Sequence, residues 1–125
     1  MTKVERAVQL RQDPEVHYNC AQSVFIPYGE EAGLSAGQAN AIAAHFGGGM
    51  RMGATCGAVT GALMAMGLMG KDQKVMEEFW NEFKEQTGAV DCAALLKLGE
   101  GRGEEKKPYC DGLVCKAVEL LEKYI

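Results

Sequence analysis

The sequence lacks several patterns that would place a protein quickly in a functional class. It has no basic cluster, and its formal net charge is −4, which argues against nonspecific binding to nucleic acid. No segment alternates β-branched and polar residues, so strands are not predicted. There is no phosphate loop of the G-x-x-x-x-G-K type, no polar triad and no pair of catalytic carboxylates. A kinase or a hydrolase is therefore not indicated.

The amino-terminal segment, MTKVERAVQL, also lacks the apolar core of a signal peptide, because it is charged and amphipathic. We therefore expect a cytoplasmic protein, in which thiols stay reduced unless they have redox or metal chemistry to perform. The chain contains five cysteines, and this odd number excludes a simple set of intramolecular structural bridges.

What is present is typical of one globular domain covering residues 1–125, with 47% apolar and 24% charged residues. Helical periodicity and capping patterns predict an all-α fold, a compact bundle of about six helices around a central glycine-rich helix. Asn19 and Ser35 begin capping boxes, and Asp72 and Asp91 also occupy typical cap positions.

The central stretch is GGGMRMGATCGAVTGALMAMGLMG, residues 47–70, in which Arg51 is the only charge before the last glycine. From about Gly53 the stretch is compatible with a helix, and Gly53, Gly57 and Gly61 then recur every fourth residue on one face. That face is nearly bare backbone, so another backbone or a cofactor can approach it closely. We predict these three glycines as cofactor contacts.

Two other interpretations of this stretch stay open. Its uncharged part reaches the lower limit of membrane-spanning length, but charged amphipathic segments flank it and no second span exists to pair with it, so a buried helix is favoured. The glycine face is also suited to a partner helix, which would make the protein a homodimer or another homo-oligomeric binding module without redox chemistry.

Four of the cysteines share one local setting, close to the amino terminus of a predicted helix. Unpaired backbone N–H groups and the positive end of the helix dipole stabilise a thiolate there, so we expect a lowered thiol pKa. Arg51 is a candidate to balance such thiolates. Cys115 lies within the last predicted helix and is interpreted as a small buried hydrophobe. The four candidate site residues are Cys20, Cys56, Cys92 and Cys110.

These cysteines also carry a resemblance to a known family. CGAVTG at 56–61 fits the CGAxxG motif of the C_GCAxxG_C_C family of redox-active proteins, which is named for four fixed cysteines. Further similar blocks are NCAQSV at 19–24, HFGGGMRMGATCGAVTGALMAMG at 45–67, DCAALL at 91–96 and KKPYCDGLV at 106–114. The resemblance implies a bacterial or archaeal protein with a redox role for Cys20, Cys56, Cys92 and Cys110.

Four thiolates are suited to two chemistries, and the sequence leaves both open. In thiol–disulfide exchange a low-pKa thiolate attacks a disulfide, and a second thiol resolves the mixed disulfide that forms. The sequence contains no C-x-x-C, so such a pair must join separate helices. In the alternative, the four cysteines are metal ligands of an iron–sulfur cluster, as in a similar region of a multihaem cytochrome. Zinc is less favoured, because structural zinc sites bring ligands as closely spaced pairs. An oxidoreductase and an electron carrier both remain open, and the redox partner is not indicated.

Overall fold

The computed structural model describes all 125 residues and contains helices and no named strands. Seven α-helices follow in chain order: α1 (Lys3–Arg11), α2 (Cys20–Glu31), α3 (Ala36–Ile42), α4 (Gly57–Leu68), α5 (Gln73–Thr87), α6 (Cys92–Gly101) and α7 (Lys106–Lys123). A short π-helical turn, Gly49–Gly53, lies between α3 and α4. The all-α prediction is confirmed. The prediction of about six helices was too low, and the glycine run itself forms an additional helical turn.

Helix starts agree with the sequence wherever a local side chain caps the backbone. Asn19 forms a complete capping box with Gln22 at the start of α2, and Ser35 begins a second one at α3. Asp72 caps α5 through its carboxylate. Asp91 lies at the N-cap of α6, but its side chain makes no capping hydrogen bond. These starts depend on residues three apart in the chain, which is why the sequence predicts them.

The glycine face of α4 lies against α2 of the same chain. A Cβ atom on Gly61 would lie 2.6 Å from the carbonyl oxygen of Ala21, and one on Gly57 would lie 3.1 Å from the Ala21 amide nitrogen. A side chain at Gly61 would clash with the backbone of α2, and one at Gly57 would be tighter than nearly all real contacts, so glycine allows the two helix backbones to touch. Because α2 already fills this face, a partner helix cannot pack on it. The predicted homodimer interface on the glycine face is therefore excluded.

Gly53 does not share that face. Residues 48–51 all have positive φ, as does Gly53 at +73°, and α4 begins only at Gly57. The prediction of a right-handed helix from about Gly53, with three stacked glycines, was therefore wrong, because these left-handed conformations cannot continue into such a helix.

No helix combines the length and the apolar character that crossing a membrane requires.

The remaining helices close the core around α2 and α4. Phe79 and Phe83 of α5 are fully buried, with ring centroids 6.1 Å apart, and Leu95 of α6 is buried in the same core cluster. Helix α7 contacts α1, α2, α4, α5 and α6. Among these, α2, α4 and α6 each have another of the predicted site cysteines at or just before their first residue. The contacts of α7 with these three helices therefore set the position of its amino-terminal turns, which contain Cys110, relative to the other cysteines.

Candidate functional site

The four predicted cysteines line one cavity of about 910 Å³. They lie at the amino-terminal ends of four different helices: Cys20 begins α2, Cys56 precedes α4, Cys92 begins α6 and Cys110 lies in the second turn of α7. Cys115, farther along α7, does not line the cavity. The tertiary structure thus brings together side chains that are up to 90 positions apart in the chain.

Cys56 and Cys92 are held by a short antiparallel bridge between the segments that precede α4 and α6. The Cys56 N–H donates to the carbonyl of Val90 at 2.7 Å, and the Cys92 N–H donates to the carbonyl of Ala54 at 2.6 Å. Alternate residues of extended backbone point to the same side, so both thiols face the same side of the bridge. The bridge is too short for a sequence pattern to reveal it.

Cys20 is brought to this group by the contact between α2 and α4. A Cβ atom on Gly57 would lie 3.2 Å from the Cys20 Cβ, so the first turns of the two helices touch at this point. The preceding residue, Asn19, donates its side-chain amide to the carbonyls of Ala43 and Ala44 at 3.3 and 3.2 Å. This ties the start of α2 to the chain that leads into the glycine turn.

Cys110 is the only cysteine whose pKa is lowered, to about 7. The largest cause is its contact with the Cys20 thiol, and the positive charges of Arg11 and Lys106 add to it, while burial opposes it. The same contact, together with burial, raises the pKa of Cys20 well above its usual value. The directions of the two shifts favour the negative charge of this pair on Cys110, with the Cys20 thiol as its hydrogen-bond donor.

The positive charge beside this pair comes mainly from Arg11, whose side chain is only 6% exposed. Its Nε donates to Asp111 Oδ1 at 2.6 Å, and its Nη1 donates to the carbonyl of Tyr18 at 2.9 Å. Lys107 Nζ donates to the carbonyl of Arg11 at 2.9 Å. Sequence reasoning missed Arg11, because an arginine in the last turn of a short amphipathic helix ordinarily lies in solvent. Only the packing of α1 on α7 buries it.

Burial dominates at the other two cysteines of the cavity. Cys56 is 3% exposed, and burial raises its pKa to about 11, although the N–H groups of Ala58 and Val59 lower it. Burial also raises the pKa of Cys92, with the sulfur of Cys110 adding to the shift. The prediction that helix starts would lower the pKa of all four thiols was wrong, because desolvation of the thiolate outweighs the helix terminus.

A family model described as "Putative redox-active protein (C_GCAxxG_C_C)" matches residues 18–124. The chain belongs to this family. The matched region contains all four cavity cysteines, and it covers the blocks on which the sequence resemblance rests. No curated protein and no solved structure matches the chain significantly. The family description supports a redox role, without naming a mechanism or a cofactor.

Two lesser predictions need correction in this member of the C_GCAxxG_C_C family. Arg51 lines the cavity, but the charges that lower cysteine pKa values there are those of Arg11 and Lys106. Cys115 is half-buried rather than buried, and burial raises its pKa. Neither residue behaves as its local sequence suggested, because each environment is set by other helices.

The cysteines are not arranged around one point. No three or more His, Cys, Asp or Glu side chains are grouped so that they could hold a single metal ion. All five cysteines are free thiols. The geometry therefore contains no preformed tetrahedral zinc site, which needs four ligands at about 2.0–2.3 Å from one ion.

Proposed function

We propose that this chain is a thiol–disulfide redox protein in which Cys110 and Cys20 form the reactive pair. The observation that carries the proposal is the lowered pKa of Cys110, about 7, next to a second thiol whose pKa is raised. Exchange requires a thiolate that exists near neutral pH and a resolving thiol within reach. The free thiols suit a reducing compartment such as the cytoplasm, where the proposal places the protein.

The reaction with a disulfide substrate proceeds in two displacements. The Cys110 thiolate attacks one substrate sulfur, a bond forms between the two sulfurs, and the substrate S–S bond breaks to release one thiolate, which takes a proton from water. Cys20 then loses its proton to water and attacks the Cys110 sulfur, which releases the second substrate thiolate, and this thiolate also takes a proton from water. The chain is oxidised by two electrons to a Cys20–Cys110 disulfide, and the substrate is reduced to two thiols.

Arg11 supports the first displacement and its reverse. Its guanidinium lowers the pKa of Cys110, so the thiolate is present for the first attack. The same charge stabilises Cys110 whenever its sulfur is the leaving group, as in the reverse reaction, because a thiol with a lower pKa leaves faster. The salt bridge to Asp111 at 2.6 Å fixes the guanidinium in place.

Cys56 and Cys92 supply the second dithiol of the proposal. Both line the same cavity as the reactive pair, and the charge of Cys110 contributes to the raised pKa of each. With raised pKa values both stay protonated near neutral pH. In the proposal one of them loses its proton and attacks a sulfur of the Cys20–Cys110 disulfide, and the other then attacks the mixed disulfide. A Cys56–Cys92 bond forms, the Cys20–Cys110 bond breaks, and the two protons released pass to the thiolates of the reactive pair.

Mapping the bridges tests this assignment. Reduced protein is treated with one equivalent of a low-molecular-weight disulfide, quenched in acid and analysed by peptide mass spectrometry. We expect a Cys20–Cys110 or Cys56–Cys92 bridge at one equivalent and both bridges at two. The Cys115→Ser variant serves as a control and should give the same map. Bridges that join Cys115, or the absence of any Cys20–Cys110 bridge in a Cys56→Ser variant, would contradict the proposal.

A second candidate function is the binding of an iron–sulfur cluster by Cys20, Cys56, Cys92 and Cys110. The observation that favours it is that all four thiols line one cavity together with cationic side chains. Four thiolates are the usual ligand set of such a cluster, which spreads its ligands over several irons and so does not require one shared point. When bound, the cluster would supply one-electron transfer.

The residues around the cavity fit such a group in part. Backbone N–H groups face the Cys56 sulfur, as is common for sulfurs that ligate a cluster. Gly53 and Gly57 line the cavity and stay candidates for a close cofactor contact, whereas Gly61 is not part of the lining. Iron content and visible absorption of protein purified without oxygen separate the two functions. Stoichiometric iron with brown colour selects the cluster, and colourless protein with redox-titratable thiols selects the disulfide.

A further inference from the structure

Apart from the Cys110 thiolate of the proposal, the charged side chains that line the cysteine cavity are all positive. They are Arg11, Arg51, Lys106 and Lys107, and no aspartate or glutamate is among the lining residues. The chain as a whole has the opposite balance, with 17 acidic against 13 basic side chains. Positive charge is therefore concentrated at the cavity against the overall charge of the protein, and such focusing raises the local concentration of anions.

Two of these cations are already neutralised in part. Arg11 and Lys107 both bind the carboxylate of Asp111, at 2.6 and 3.3 Å. Lys106 and Arg51 take part in none of the six salt bridges and in no side-chain hydrogen bond. Both are exposed at the cavity, one from the start of α7 and the other from the glycine turn. Their charges are thus free to act on a ligand.

The backbone at Arg51 adds an independent observation. Arg51 has φ +60° and ψ 15°, and Met50 before it also has positive φ. Left-handed conformations cost a non-glycine residue about 1 kcal/mol or more, and they concentrate at ligand clamps. Gly48, Gly49 and Gly53 occupy the other left-handed positions of this turn without that cost. The strained turn holds an arginine at the cavity wall, where a glycine would be easier to accommodate.

We infer that the cavity selects a low-molecular-weight disulfide that carries carboxylates, with Arg51 and Lys106 as its anion-binding side chains. This inference rests on the proposed exchange at Cys110, and the reaction is the balanced one given above. A volume of about 910 Å³ is within the range of small-molecule sites. A neutral disulfide would reach the same thiolate without the electrostatic attraction, and a cationic one would be repelled.

Two chromogenic disulfides of matched structure test the inference. Dithiodinicotinate is anionic, and dithiodipyridine has the same ring and disulfide without the carboxylates. Rates with the reduced protein are divided by the rates with mercaptoethanol, which removes the intrinsic reactivity of each probe. At low salt we expect the protein to prefer the anionic probe by about tenfold or more over this reference. The preference should decrease strongly at about 0.5 M salt, where charges are screened.

The Arg51→Gln, Lys106→Gln double variant should lose most of this preference. Loss of Lys106 also changes the pKa of Cys110, but that effect slows both probes and cancels in their ratio. Lys71→Gln is the matched control, because Lys71 lies in the loop at the far end of α4 and does not line the cavity. It makes the same change in net charge as either single substitution and should keep the preference. If the double variant does not fold, Lys106→Gln alone tests the inference and should lose part of the preference.

The outcomes separate the inference from the function on which it rests. Equal relative rates for the two probes in the wild-type protein, or a preference that survives in the folded double variant, would overturn the anion selectivity while leaving exchange at Cys110 intact. If Cys110→Ser reacts with the neutral probe as fast as the wild-type protein, the proposed function itself fails. A lost preference in the double variant, with the control unchanged, supports the inference.

Discussion

Cys110 and Cys56 both line the cavity from near the amino terminus of a helix, yet their acidities differ. Cys110 has a pKa of about 7, whereas Cys56 has a pKa of about 11, although Cys56 is the one with backbone N–H groups directed at its sulfur. The difference shows that a helix amino terminus does not by itself make a reactive thiolate. Burial and neighbouring charges decide the outcome.

Magnitudes explain why. A helix terminus contributes typically 0.3–1 kcal/mol, or somewhat less than one pKa unit, and full burial shifts a pKa by as much as 3–5 units. At Cys56, with 3% exposure, burial prevails. Cys110 is half-buried, and the Cys20 thiol, Arg11 and Lys106 together outweigh the cost of burial.

Alkylation rates measured residue by residue would show the contrast most strongly. At pH 7 about half of Cys110 is thiolate, against about one part in ten thousand of Cys56. The lower intrinsic nucleophilicity of an acidic thiolate offsets part of this advantage. We therefore expect iodoacetamide to modify Cys110 about a hundredfold faster than Cys56, by peptide mass spectrometry. The Cys110 rate should rise with pH and level off above a midpoint near 7.

The Cys20→Ala variant is the control for that contrast. Removal of the neighbouring thiol should shift the Cys110 midpoint to higher pH, whereas Cys115→Ala should leave it unchanged. Equal rates at Cys110 and Cys56 in the wild-type protein would refute the assignment of the thiolate.

The contact between α2 and α4, which brings Cys20 to the other cysteines, can be broken at Gly61. A methyl group there would lie 2.6 Å from the Ala21 carbonyl oxygen, so α2 and α4 must separate. We expect Gly61→Ala to lower the free energy of unfolding by about 2–3 kcal/mol in urea titrations. Gly67→Ala is the matched control on the same helix, because nothing lies within 4 Å of its added Cβ. That variant should be neutral or more stable by up to about 1 kcal/mol. Equal effects of the two substitutions would show that this contact does not limit stability.

Removing the buried charge of Arg11 should raise the pKa of Cys110 toward that of Cys56. Arg11→Met leaves Asp111 with Lys107 as its remaining partner, so we expect a loss of about 2 kcal/mol in the free energy of unfolding. The pKa of Cys110 should rise at the same time, which ultraviolet titration of the thiolate would detect.

Arg6→Met, on the same helix, provides the comparison. Arg6 forms a more exposed salt bridge with Glu30, so its loss should cost less than about 1 kcal/mol and leave the Cys110 titration in place. An unchanged Cys110 pKa in Arg11→Met would mean that the guanidinium does not stabilise the thiolate.

The buried thiol of Cys56 should make stability depend on pH. The unfolded Cys56 thiol loses its proton near its usual pKa of 9.0, whereas the folded one keeps it up to about 11. Between these values the unfolded chain binds fewer protons, so stability falls as pH rises. From about pH 8 to about pH 10, reduced wild-type protein should lose about 1 kcal/mol more than Cys56→Ala in urea titrations. The same loss in both proteins would show that Cys56 titrates normally in the folded state.

Much of the fold follows from residues that are close in the chain. The side chains of Asn19, Ser35 and Asp72 start their helices through hydrogen bonds to residues three positions ahead, so the sequence alone predicts those starts. The left-handed glycine turn was not predicted. A glycine permits positive φ without requiring it, and Met50 and Arg51 adopt it only because the surrounding structure holds them there.

By itself, the sequence determined the all-α class, the family and the set of four cysteines, because these depend on periodicity, caps and motifs within short segments. Only the tertiary structure decided which of those cysteines has a lowered pKa. That choice depends on the burial of Cys56, on the contact of Cys20 with Cys110 and on the guanidinium of Arg11. Desolvation and Coulomb interactions act across space between distant parts of the chain, and no local pattern encodes them.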